Sequence, residues 1–461
     1  MSSPEYDLAI VGSGGAAFSA AIAARERDLR VVMIERGTVG GTCVNVGCIP
    51  SKALLAAAEQ RHRAGAQRFP GIRTDAGLVD MAALVAGKDE IVGALRQEKY
   101  LDLADRHAIE LVHDDARFVE GAALDVDGRT IVAAAYLVAT GSTPRIPDIP
   151  GLADSRYLTS TTAMDLDALP ASLIVLGGGY VALEQAQLFA HLGTTVTILA
   201  RSSIARREEP EIAEALRGAL LADGIRVLEQ TDVQSVRRDG TQVTVLTGAG
   251  ELSAGHLLVA TGRRPQSDGL GLNAAGVLTD EDGAVLVDAE LRTSNPKVWA
   301  AGDVTGHPQF VYVAARHGKM VVESAFDAAA RSVDYTALPR ITFTNPTIAS
   351  AGLTEAEARA KGLAVHSRVL ELSAVPRAIV SRATHGLVKL VCEQDSGRIV
   401  GVHLLADGAG DAILAGVYAI QSQMTVAQMA DSWNPYLTIG EAVHLAAQSF
   451  TRDPATLSCC A

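Results

Sequence analysis

The chain opens with a short apolar segment, residues 8–11, which runs directly into a glycine-rich turn and an alanine-rich stretch. This pattern predicts a buried β-strand, a tight turn and a helix that extends to Arg25. A second apolar segment, residues 31–34, predicts another strand, and it is followed at once by Glu35. A strand, a helix and a second strand in this order predict a βαβ unit of the kind that binds dinucleotides.

The turn of this unit carries small residues at the spacing of a dinucleotide fingerprint. Gly12, Gly14 and Ala17 occupy the GxGxxG/A positions, and Glu35 lies about 20 residues further on. Such residues let a pyrophosphate approach the helix N-terminus, while the carboxylate accepts a ribose hydroxyl. Taken alone the fingerprint is weak, because an ordinary glycine turn between a strand and a helix has the same composition.

The same pattern recurs further along the chain, which supports two dinucleotide sites. Residues 173–176 predict a strand, GGGYVALE follows with Gly177, Gly179 and Ala182 at the fingerprint positions, and residues 196–199 predict the next strand. The acidic position is here replaced by Ala200 and Arg201, followed by two more arginines, Arg206 and Arg207. Guanidinium groups suit a 2′-phosphate, so NADPH is favoured over NADH. A solvated basic turn is the alternative reading of Arg206 and Arg207.

Turns and changes of pattern divide the chain into domains. Two segments, residues 138–151 and 259–265, end a strand with a Thr-Gly turn, and the first continues into prolines typical of a linker. From residue 338 the pattern predicts strand, turn and a helix capped by Thr354 with Glu357, then strands at 387–392 and 399–405 and a last helix at 439–450. The predicted domains are residues 1–150, 151–265, 266–337 and 338–461.

Composition and charge exclude several functions. At 461 residues the chain suggests about three domains, and its 40 basic and 53 acidic residues give a formal charge of −13. That charge would repel nucleic acid and anionic lipids, so neither nucleic acid nor a membrane is an expected partner. No apolar run reaches the ~20 residues of a membrane span, and the first residues lack the features of a signal peptide. We expect a cytoplasmic protein.

The five cysteines supply the candidate chemistry. Cys43 and Cys48 lie in GTCVNVGCIPSK, and Cys459 and Cys460 stand next to the last residue of the chain, while Cys392 is expected to pack in a strand. A pair of thiols can pass electrons by forming a disulfide, or can hold a soft metal ion as thiolates. Because a helix is predicted to begin near Cys48 and Lys52 is close in sequence, low thiol pKa values are expected at the first pair.

GTCVNVGCIPSK and the segment AAGDV at 300–304 resemble the pyridine nucleotide-disulphide oxidoreductases, and this resemblance extends over essentially the whole chain. It implies an α/β, glutathione-reductase-like fold with two Rossmann-like dinucleotide-binding domains, for FAD and NADPH, and a C-terminal α+β dimerisation domain. The chain is then a homodimer in which Cys48 lies against the flavin and Cys43 meets the substrate.

By the same resemblance, further residues receive roles. Lys52 is expected to pair with Glu184 beside the flavin, and Tyr180 to cover the nicotinamide face of the flavin. Asp303 is expected near the ribityl chain, and both Thr-Gly turns are expected at the cofactor. The positions expected to line the FAD site are Gly12, Gly14, Gly15, Ala17, Glu35, Gly37, Thr42, Lys52, Ala116, Thr140, Gly141, Asp303 and Val311, with Gly262 in the second turn.

One departure from the family pattern indicates the substrate. Disulfide reductases of the family carry a His–Glu pair near the C-terminus, which protonates the leaving thiol. Here Glu441 is present, but Tyr436 stands in the place of the histidine. A phenol with a pKa near ~10 is a poor proton donor at neutral pH. A metal ion has no such requirement, and Tyr436 can serve as an oxygen donor near it.

The C-terminal segments PYLT, LAAQSF and LSCCA resemble those of the mercuric reductases within the family. This resemblance implies a flavoenzyme that uses NADPH to reduce Hg(II), supplied as thiol complexes, to Hg(0) in mercury detoxification. Cys459 and Cys460 are then metal ligands that pass the ion to Cys43 and Cys48 of the other subunit. Many mercuric reductases also carry an N-terminal CxxC module, whereas this sequence starts at the first FAD strand.

Other interpretations of the tail and of the whole chain remain open. Some thioredoxin reductases end in a reactive sulfur pair, although they retain the histidine that Tyr436 replaces. Prenylation requires a cysteine at the first position of the last four residues, which are SCCA. A tail without function is a further alternative. In a different class, a flavoprotein could sequester soft ions on its four thiols without reducing them.

Overall fold

The computed structural model describes residues 4–120, 123–327 and 331–452. These residues form two compact units, each assembled from three stretches of the chain. The first unit contains Met1–Leu54, Ala82–Arg145 and Gly262–Val333, and the second contains Leu55–Met81, Ile146–Thr261 and Asp334–Ala461. The four domain boundaries stay a prediction.

The strands are short and regularly spaced. In chain order they are β1 Tyr6–Val11, β2 Val31–Ile34, β3 Glu110–Val112, β4 Ala116–Val119, β5 Ala123–Val126, β6 Arg129–Ile131, β7 Ala133–Val138, β8 Ser142–Pro144, β9 Ser172–Leu176, β10 Thr195–Leu199, β11 Arg226–Leu228, β12 Val233–Asp239, β13 Gln242–Thr247, β14 Gly250–Ala254, β15 His256–Val259, β16 Arg263–Pro265, β17 Val298–Ala300, β18 Pro339–Thr342, β19 Thr347–Gly352, β20 Val365–Glu371, β21 Leu387–Glu393 and β22 Ile399–Ala406.

The α-helices lie between and after these strands. They are α1 Gly15–Arg25, α2 Gly41–Asn45, α3 Cys48–Ala66, α4 Met81–Arg96, α5 Asp102–Arg106, α6 Ser160–Ala163, α7 Tyr180–Leu192, α8 Pro210–Ala222, α9 Val311–Phe326, α10 Glu355–Ala360, α11 Pro376–Val380, α12 Ala409–Gln421, α13 Val426–Ala430 and α14 Gly440–Gln448. A π-helical turn, Gln97–Leu101, joins α4 to α5.

A five-stranded parallel sheet forms the centre of the first unit, with strand order β17-β7-β1-β2-β3. Helices α1 and α9 pack closely together, because Gly318 of α9 lies against the backbone of α1. A Cβ atom on Gly318 would stand 2.1 Å from the Ala16 carbonyl oxygen. An antiparallel sheet, β4-β5-β6, adds Phe118 to the core, where its ring meets that of Tyr136 edge to face. The parallel sheet places the ends of β1 and β2 side by side.

The second unit contains three sheets. A parallel sheet of order β11-β10-β9-β15 carries the second βαβ pattern, and β12-β13-β14 form an antiparallel meander. The C-terminal sheet, β18-β19-β22-β21-β20, is antiparallel and is covered on one side by α12 and α14. Cys392 is buried in β21, as expected, and burial raises the pKa of its thiol.

The predicted elements are found within one or two residues of their expected ends. The strands predicted at 8–11, 31–34, 173–176 and 196–199 are β1, β2, β9 and β10. Thr354 caps α10, its hydroxyl accepting from the Glu357 amide while the Glu357 carboxylate accepts from the Thr354 amide. The last helix is shorter than expected and ends at Gln448. Among the described residues, no helix combines the length and the apolar character needed to cross a membrane.

Candidate active site

The first thiol pair lies at the junction of two helices in the first unit. Cys43 is in the middle of α2, and Cys48 is the first residue of α3. Both are in the thiol form rather than in a disulfide, and their side chains are hydrogen-bonded to one another. The Cys48 backbone amide, at the start of its helix, also donates to the Cys43 sulfur. The four-residue spacing thus brings two sulfur atoms together, as expected for a redox pair or for a two-thiolate ligand.

The acidity expected for this pair is wrong for Cys43. Its pKa is raised by the hydrogen bond with the Cys48 sulfur, by burial and by the charge of a Cys48 thiolate. The amide of Cys48 and the cation of Lys52 act in the opposite direction, but they are the smaller effects. Two neighbouring sulfurs cannot both ionise easily, because the second thiolate would be repelled by the first. The pair therefore keeps one proton well above neutral pH.

Lys52 is linked to the pair through a serine of the same helix turn. Its ammonium group donates to Ser51 Oγ at 3.3 Å, and Ser51 Oγ donates to the Cys48 carbonyl oxygen at 3.1 Å. This places a positive charge one turn from Cys48, which stabilises a thiolate there. Glu184, the predicted partner of Lys52, lies in the other unit, and their pairing stays a prediction.

Tyr100 is a neighbour of the thiols that the sequence did not indicate. It belongs to the π-helical turn after α4, and its ring meets Phe18 edge to face at 4.9 Å. Burial, and then the charges of Cys43 and Cys48, raise the pKa of its phenol. Tyr100 therefore stays protonated beside the thiol pair. The only sequence signal for it is an aromatic residue at the end of a long amphipathic helix, and that signal carries no functional information.

The glycine-rich turn after β1 has the geometry of a pyrophosphate site. Gly12 has φ +105°, and a Cβ atom there would stand 2.5 Å from the Ala139 carbonyl oxygen. Helix α1 begins at Gly15 after Gly14, and since these residues have no side chains, a ligand can approach the first amides of the helix. Ser13 Oγ accepts from the Gly40 amide and donates to Glu35 Oε2 at 2.6 Å.

Glu35 is held directly after the end of β2. Its other carboxylate oxygen accepts from the Gly37 amide at 2.7 Å. Each oxygen keeps a second lone pair for a ribose hydroxyl. The uncapped helix start, the glycine turn and this oriented carboxylate together fit the adenosine and pyrophosphate parts of FAD.

Asp303, predicted near the ribityl chain, is oriented by a network within the first unit. Ser142 Oγ donates to Asp303 Oδ2 at 2.6 Å and accepts from Arg263 Nε at 2.7 Å. A second guanidinium nitrogen of Arg263 donates to the Ser142 carbonyl oxygen. Ser142 and Arg263 follow the two Thr-Gly turns, where sequence reasoning singled out only Thr140, Gly141 and Gly262. No sequence pattern links them, because they become neighbours only when β8 pairs with β16.

A buried histidine supports the same segment. His317 Nδ1 accepts from the Gly302 amide at 3.2 Å. Burial, together with the charges of His307 and Arg316, lowers the pKa of His317 to about 4. The imidazole is therefore neutral at pH 7, as an acceptor nitrogen requires. His317 fixes the backbone next to Asp303.

The other positions predicted for FAD are distributed over the first unit. Ala17 and Ala116 are buried, whereas Thr42 and Gly37 are exposed. Val311 begins α9, and its Cγ2 atom would lie 3.3 Å from a Cβ on Gly15. Thr140 Oγ1 donates to the Gln266 carbonyl oxygen at 2.6 Å, which ties the first Thr-Gly turn to the chain that follows the second.

The second nucleotide pattern has a similar turn. Gly177 has φ +138°, and a Cβ there would stand 2.3 Å from the Ala260 carbonyl oxygen. Gly179 precedes α7, in which Ala182 is buried. The loop after β10 presents three exposed arginines in a short segment, Arg201, Arg206 and Arg207. A glycine turn at a helix start followed by this basic loop has the donor groups for NADPH.

The aromatic residues predicted to act in catalysis are half exposed in the second unit. Tyr180 opens α7, and Tyr436 lies in the loop before α14. Glu441 is buried, and its carboxylate accepts from the amide of Leu437 at 3.1 Å. Glu441 therefore fixes the backbone next to Tyr436. Glu184 is also buried and accepts from the Phe343 amide at 3.0 Å.

The C-terminal thiols, Cys459 and Cys460, lie outside the described residues. Their predicted roles as metal ligands and as donors to a second subunit stay predictions. Of the four thiols considered from the sequence, the structure thus brings together Cys43 and Cys48.

Comparison with known proteins gives the family. Residues 6–318 match the pyridine nucleotide-disulphide oxidoreductase model, and residues 338–447 match the dimerisation domain of the same family. The chain is 56% identical over 466 residues to a mercuric reductase of Streptomyces lividans, covering 99% of this chain and 98% of that protein. It is 44% identical to a mercuric reductase of Staphylococcus aureus, covering 99% of this chain and 84% of that protein.

Solved structures agree with the fold. The HOCl-induced flavoprotein disulfide reductase RclA of Escherichia coli is 29% identical, with a TM-score of 0.88 over 97% of this chain and 100% of that chain. LpdA of Mycobacterium tuberculosis is 26% identical, with a TM-score of 0.86 over 97% of this chain and 100% of that chain. FAD and NADPH are the cofactors of this family, and the two glycine turns described above fit them. The chain belongs to the pyridine nucleotide-disulphide oxidoreductases, with a dimerisation domain that indicates a homodimer.

Proposed function

We propose that this protein is an NADPH-dependent mercury(II) reductase, which converts Hg(II) to Hg(0). The observation that carries the proposal is the hydrogen-bonded pair of free thiols, Cys43 and Cys48, in the unit that has the FAD fingerprint. Soft thiolates are the preferred ligands of a soft ion such as Hg(II). The identity of 56% to a mercuric reductase over nearly the whole of both chains supports the same substrate.

The reaction balances without an additional reactant. NADPH and Hg²⁺ give NADP⁺, H⁺ and Hg(0), and FAD, when bound, transfers the two electrons between them. The protein's own part is to hold the ion between the sulfurs of Cys43 and Cys48. Each thiol loses its proton when it binds the ion, because the thiolate is the ligand. After reduction both thiolates are regenerated, and the cation of Lys52 favours the thiolate of Cys43.

The residue at position 436 supports a metal ion over a disulfide. Opening a disulfide substrate requires a proton for the leaving thiolate, and the phenol of Tyr436 is a poor source of it at neutral pH. Glu441 holds the Leu437 amide, which sets the position of the neighbouring Tyr436. Within the proposal Tyr436 is an oxygen donor to the incoming ion, and Tyr180 covers the nicotinamide face of the flavin.

In this proposal the C-terminal thiols deliver Hg(II) to the first thiol pair. Cys459 and Cys460 take Hg(II) from complexes with small thiols and pass it to Cys43 and Cys48 of the other subunit. Each transfer exchanges one sulfur ligand for another, so the ion is never released as a hydrated cation. The match of residues 338–447 to the dimerisation domain supports the two-subunit arrangement.

A disulfide reductase is the second candidate. It is favoured by the likeness to RclA of Escherichia coli, an HOCl-induced flavoprotein disulfide reductase. In that case the C-terminal pair would relay electrons to a substrate disulfide. The identity to RclA is 29%, against 56% to the mercuric reductase of Streptomyces lividans, so mercury is the better supported substrate.

The deciding experiment follows NADPH oxidation by the FAD-loaded protein with Hg(II) in excess small thiol, while volatile mercury is trapped. Parallel reactions contain oxidised glutathione, lipoamide or thioredoxin. Mercury-dependent oxidation with release of Hg(0) is the expected result. Turnover with a disulfide alone would reject the proposal in favour of the second candidate, and binding of Hg(II) without NADPH oxidation would identify a sequestering flavoprotein.

Cysteine variants test which thiols take part in the reaction. Cys43→Ala and Cys48→Ala are each expected to abolish mercury reduction, whereas Cys392→Ala, which removes the buried thiol of β21, is the matched control and retains it. Replacing Cys459 and Cys460 together is expected to slow the reaction most when Hg(II) is bound to a bulky thiol. An unchanged rate under that condition removes the tail from the mechanism.

A further inference from the structure

Two histidines and an aspartate meet in the second unit. His62 lies on α3, His191 in the last turn of α7, and Asp223 directly after α8. His191 Nε2 is 2.9 Å from Asp223 Oδ2, and His62 Nε2 is 3.6 Å from Asp223 Oδ1. The two imidazole rings are stacked, with centroids 3.9 Å apart and planes inclined by 18°. Three segments far apart in sequence therefore bring two imidazoles and a carboxylate together.

The surroundings hold these side chains in place. Gln187 donates from Nε2 to Asp223 Oδ2 at 2.7 Å, and its own carbonyl oxygen accepts from the Asn345 amide at 2.8 Å. Arg61 donates to the His191 carbonyl oxygen at 2.7 Å, which fixes the last turn of α7. The carboxylate is thus oriented by an amide that is itself held by backbone, the arrangement that second-layer groups of metal sites provide.

We propose that His62, His191 and Asp223 form a binding site for a divalent transition-metal ion of the zinc type. One ligand atom from each residue lies within 4.8 Å of the other two. Bonds of about 2.0–2.2 Å in a tetrahedral arrangement separate ligand atoms by roughly 3.3–3.6 Å. The distances of 2.9 and 3.6 Å between the imidazole nitrogens and the carboxylate oxygens are close to that separation. Because an imidazole binds an ion in the plane of its ring, the two stacked rings must tilt toward one another at their Nε2 edges to share an ion.

Burial leaves one side of the cluster open. The side chains of His191 and Asp223 are 4% and 12% exposed, whereas that of His62 is 27% exposed. Two imidazoles and one carboxylate are three protein ligands, so a water molecule would complete a four-coordinate ion on the side of His62. The outer position of His62 also provides the path by which the ion enters.

The ligand chemistry separates this site from the thiol pair. Imidazole and carboxylate suit borderline and hard ions such as Zn²⁺, while Hg(II) prefers thiolates. None of the three residues belongs to the unit that contains Cys43 and Cys48. A bound ion would join α3, α7 and the end of α8 through direct bonds. The inference therefore concerns a structural ion, and it does not depend on the reaction proposed above.

Zinc binding to the full-length, FAD-loaded protein tests the proposal. Cys43, Cys48, Cys459 and Cys460 are first replaced by alanine, so that thiolates do not compete for the probe. The protein is stripped with a chelator and dialysed against Zn²⁺, and bound zinc is measured by elemental analysis. The expected result is one Zn²⁺ per chain, accompanied by a rise in Tm.

Three further variants identify the ligands. His62→Gln and Asp223→Asn are each expected to weaken Zn²⁺ binding at least tenfold and to remove the rise in Tm, since even groups behind the ligands contribute 10–100-fold. His385→Gln, an exposed histidine of the same unit, is the matched control. FAD content and circular dichroism verify that each variant is folded, and the exposed position of His62 makes its variant the safer of the two.

Two results would overturn the proposal. If the protein without these four cysteines retains no Zn²⁺, Asp223 is only the shared polar partner of the two imidazoles and Gln187. If Zn²⁺ binds with equal affinity to His62→Gln, Asp223→Asn and the parent, the ion lies elsewhere. Replacing Zn²⁺ by Co²⁺ gives a second readout, because four-coordinate Co²⁺ absorbs visible light much more strongly, and at longer wavelength, than the hydrated ion.

Discussion

Removing the ammonium group of Lys389 should destabilise the second unit strongly. This lysine is buried in β21, with a side chain that is 3% exposed. Its Nζ atom lies 3.0 Å from Glu209 Oε2, 2.8 Å from Glu211 Oε1 and 3.1 Å from Glu355 Oε2. Lys389→Met keeps the unbranched side chain and removes the ammonium group that contacts all three carboxylates, of which Glu355 keeps an ion pair with Arg359.

The magnitude follows from the burial of the partners. Glu209 is 1% exposed, so its carboxylate cannot recover its hydration when the lysine is lost. Removing one partner of a buried ion pair costs about 3–5 kcal/mol of unfolding free energy. For a unit of this size, about 2–4 °C per kcal/mol corresponds to a fall in Tm of roughly 6–20 °C. Lys361→Met, on an exposed lysine of the same unit, is the matched control and should change Tm little.

The pH dependence of the loss has a definite sign. Burial lowers the pKa of Lys389, but hydrogen bonds with Glu211, Glu209 and Glu355 outweigh it and leave the pKa raised. Its stabilisation is therefore complete below the ordinary lysine pKa and is lost only as pH rises beyond it. The pKa of Glu355 is lowered, first by the Ser367 hydroxyl and then by Lys389. Glu355 loses one of the groups that lower its pKa in Lys389→Met, so the difference between parent and variant should shrink as pH falls through the range in which Glu355 protonates.

Calorimetry of the FAD-saturated proteins measures both effects, and a second substitution tests the cause. Adding Glu209→Gln to Lys389→Met removes the buried uncompensated charge and should restore part of the lost Tm. A Tm of Lys389→Met within experimental error of the parent, or no recovery in the double variant, would refute the reasoning. In either case the cluster of charges would have to be hydrated in the folded protein.

Three other predictions concern the sites. Ser142→Ala removes the hydroxyl that donates to Asp303. The dissociation constant for FAD, measured by equilibrium dialysis, should therefore rise roughly tenfold, which corresponds to a loss of about 1.5 kcal/mol of binding free energy. An unchanged dissociation constant would contradict this role of Ser142. Replacing Arg206 and Arg207 together by alanine should raise the KM for NADPH at least tenfold and leave the KM for NADH unchanged. Arg226→Ala, at another exposed arginine, is the control. Equal effects on both nucleotides would contradict binding of the 2′-phosphate by these arginines. The pKa of Cys43 is raised, so Hg(II) binding at pH 9 should still release at least one proton from protein that lacks Cys459 and Cys460. An indicator dye measures the released proton. No release would mean that Cys43 and Cys48 are both already ionised.

Local patterns predicted the elements that carry the cofactors, whereas long-range pairing determined the residues that orient them. The strands β1, β2, β9 and β10 and their glycine turns follow from short apolar segments, since each is specified by a few consecutive residues. Ser142 and Arg263 are 121 residues apart and become partners only through strand pairing. His62, His191 and Asp223 come from three separate helices in the same way. No period or motif in a single sequence encodes such contacts.

The pKa of Cys43 differs from the sequence-based expectation for a physical reason. A helix N-terminus and Lys52 predict acidic thiols when each sulfur is considered separately. The hydrogen bond between the sulfurs and the repulsion between two thiolates reverse that result for Cys43. A soft dication removes the repulsion, since its two charges are shared by two thiolates. A disulfide substrate bonds to one sulfur at a time and leaves its departing thiolate in need of a proton, which Tyr436 supplies poorly at neutral pH. Within the proposal, the residue at position 436 therefore favours a metal ion as substrate, and the raised pKa of Cys43 means that the ion displaces a proton when it binds.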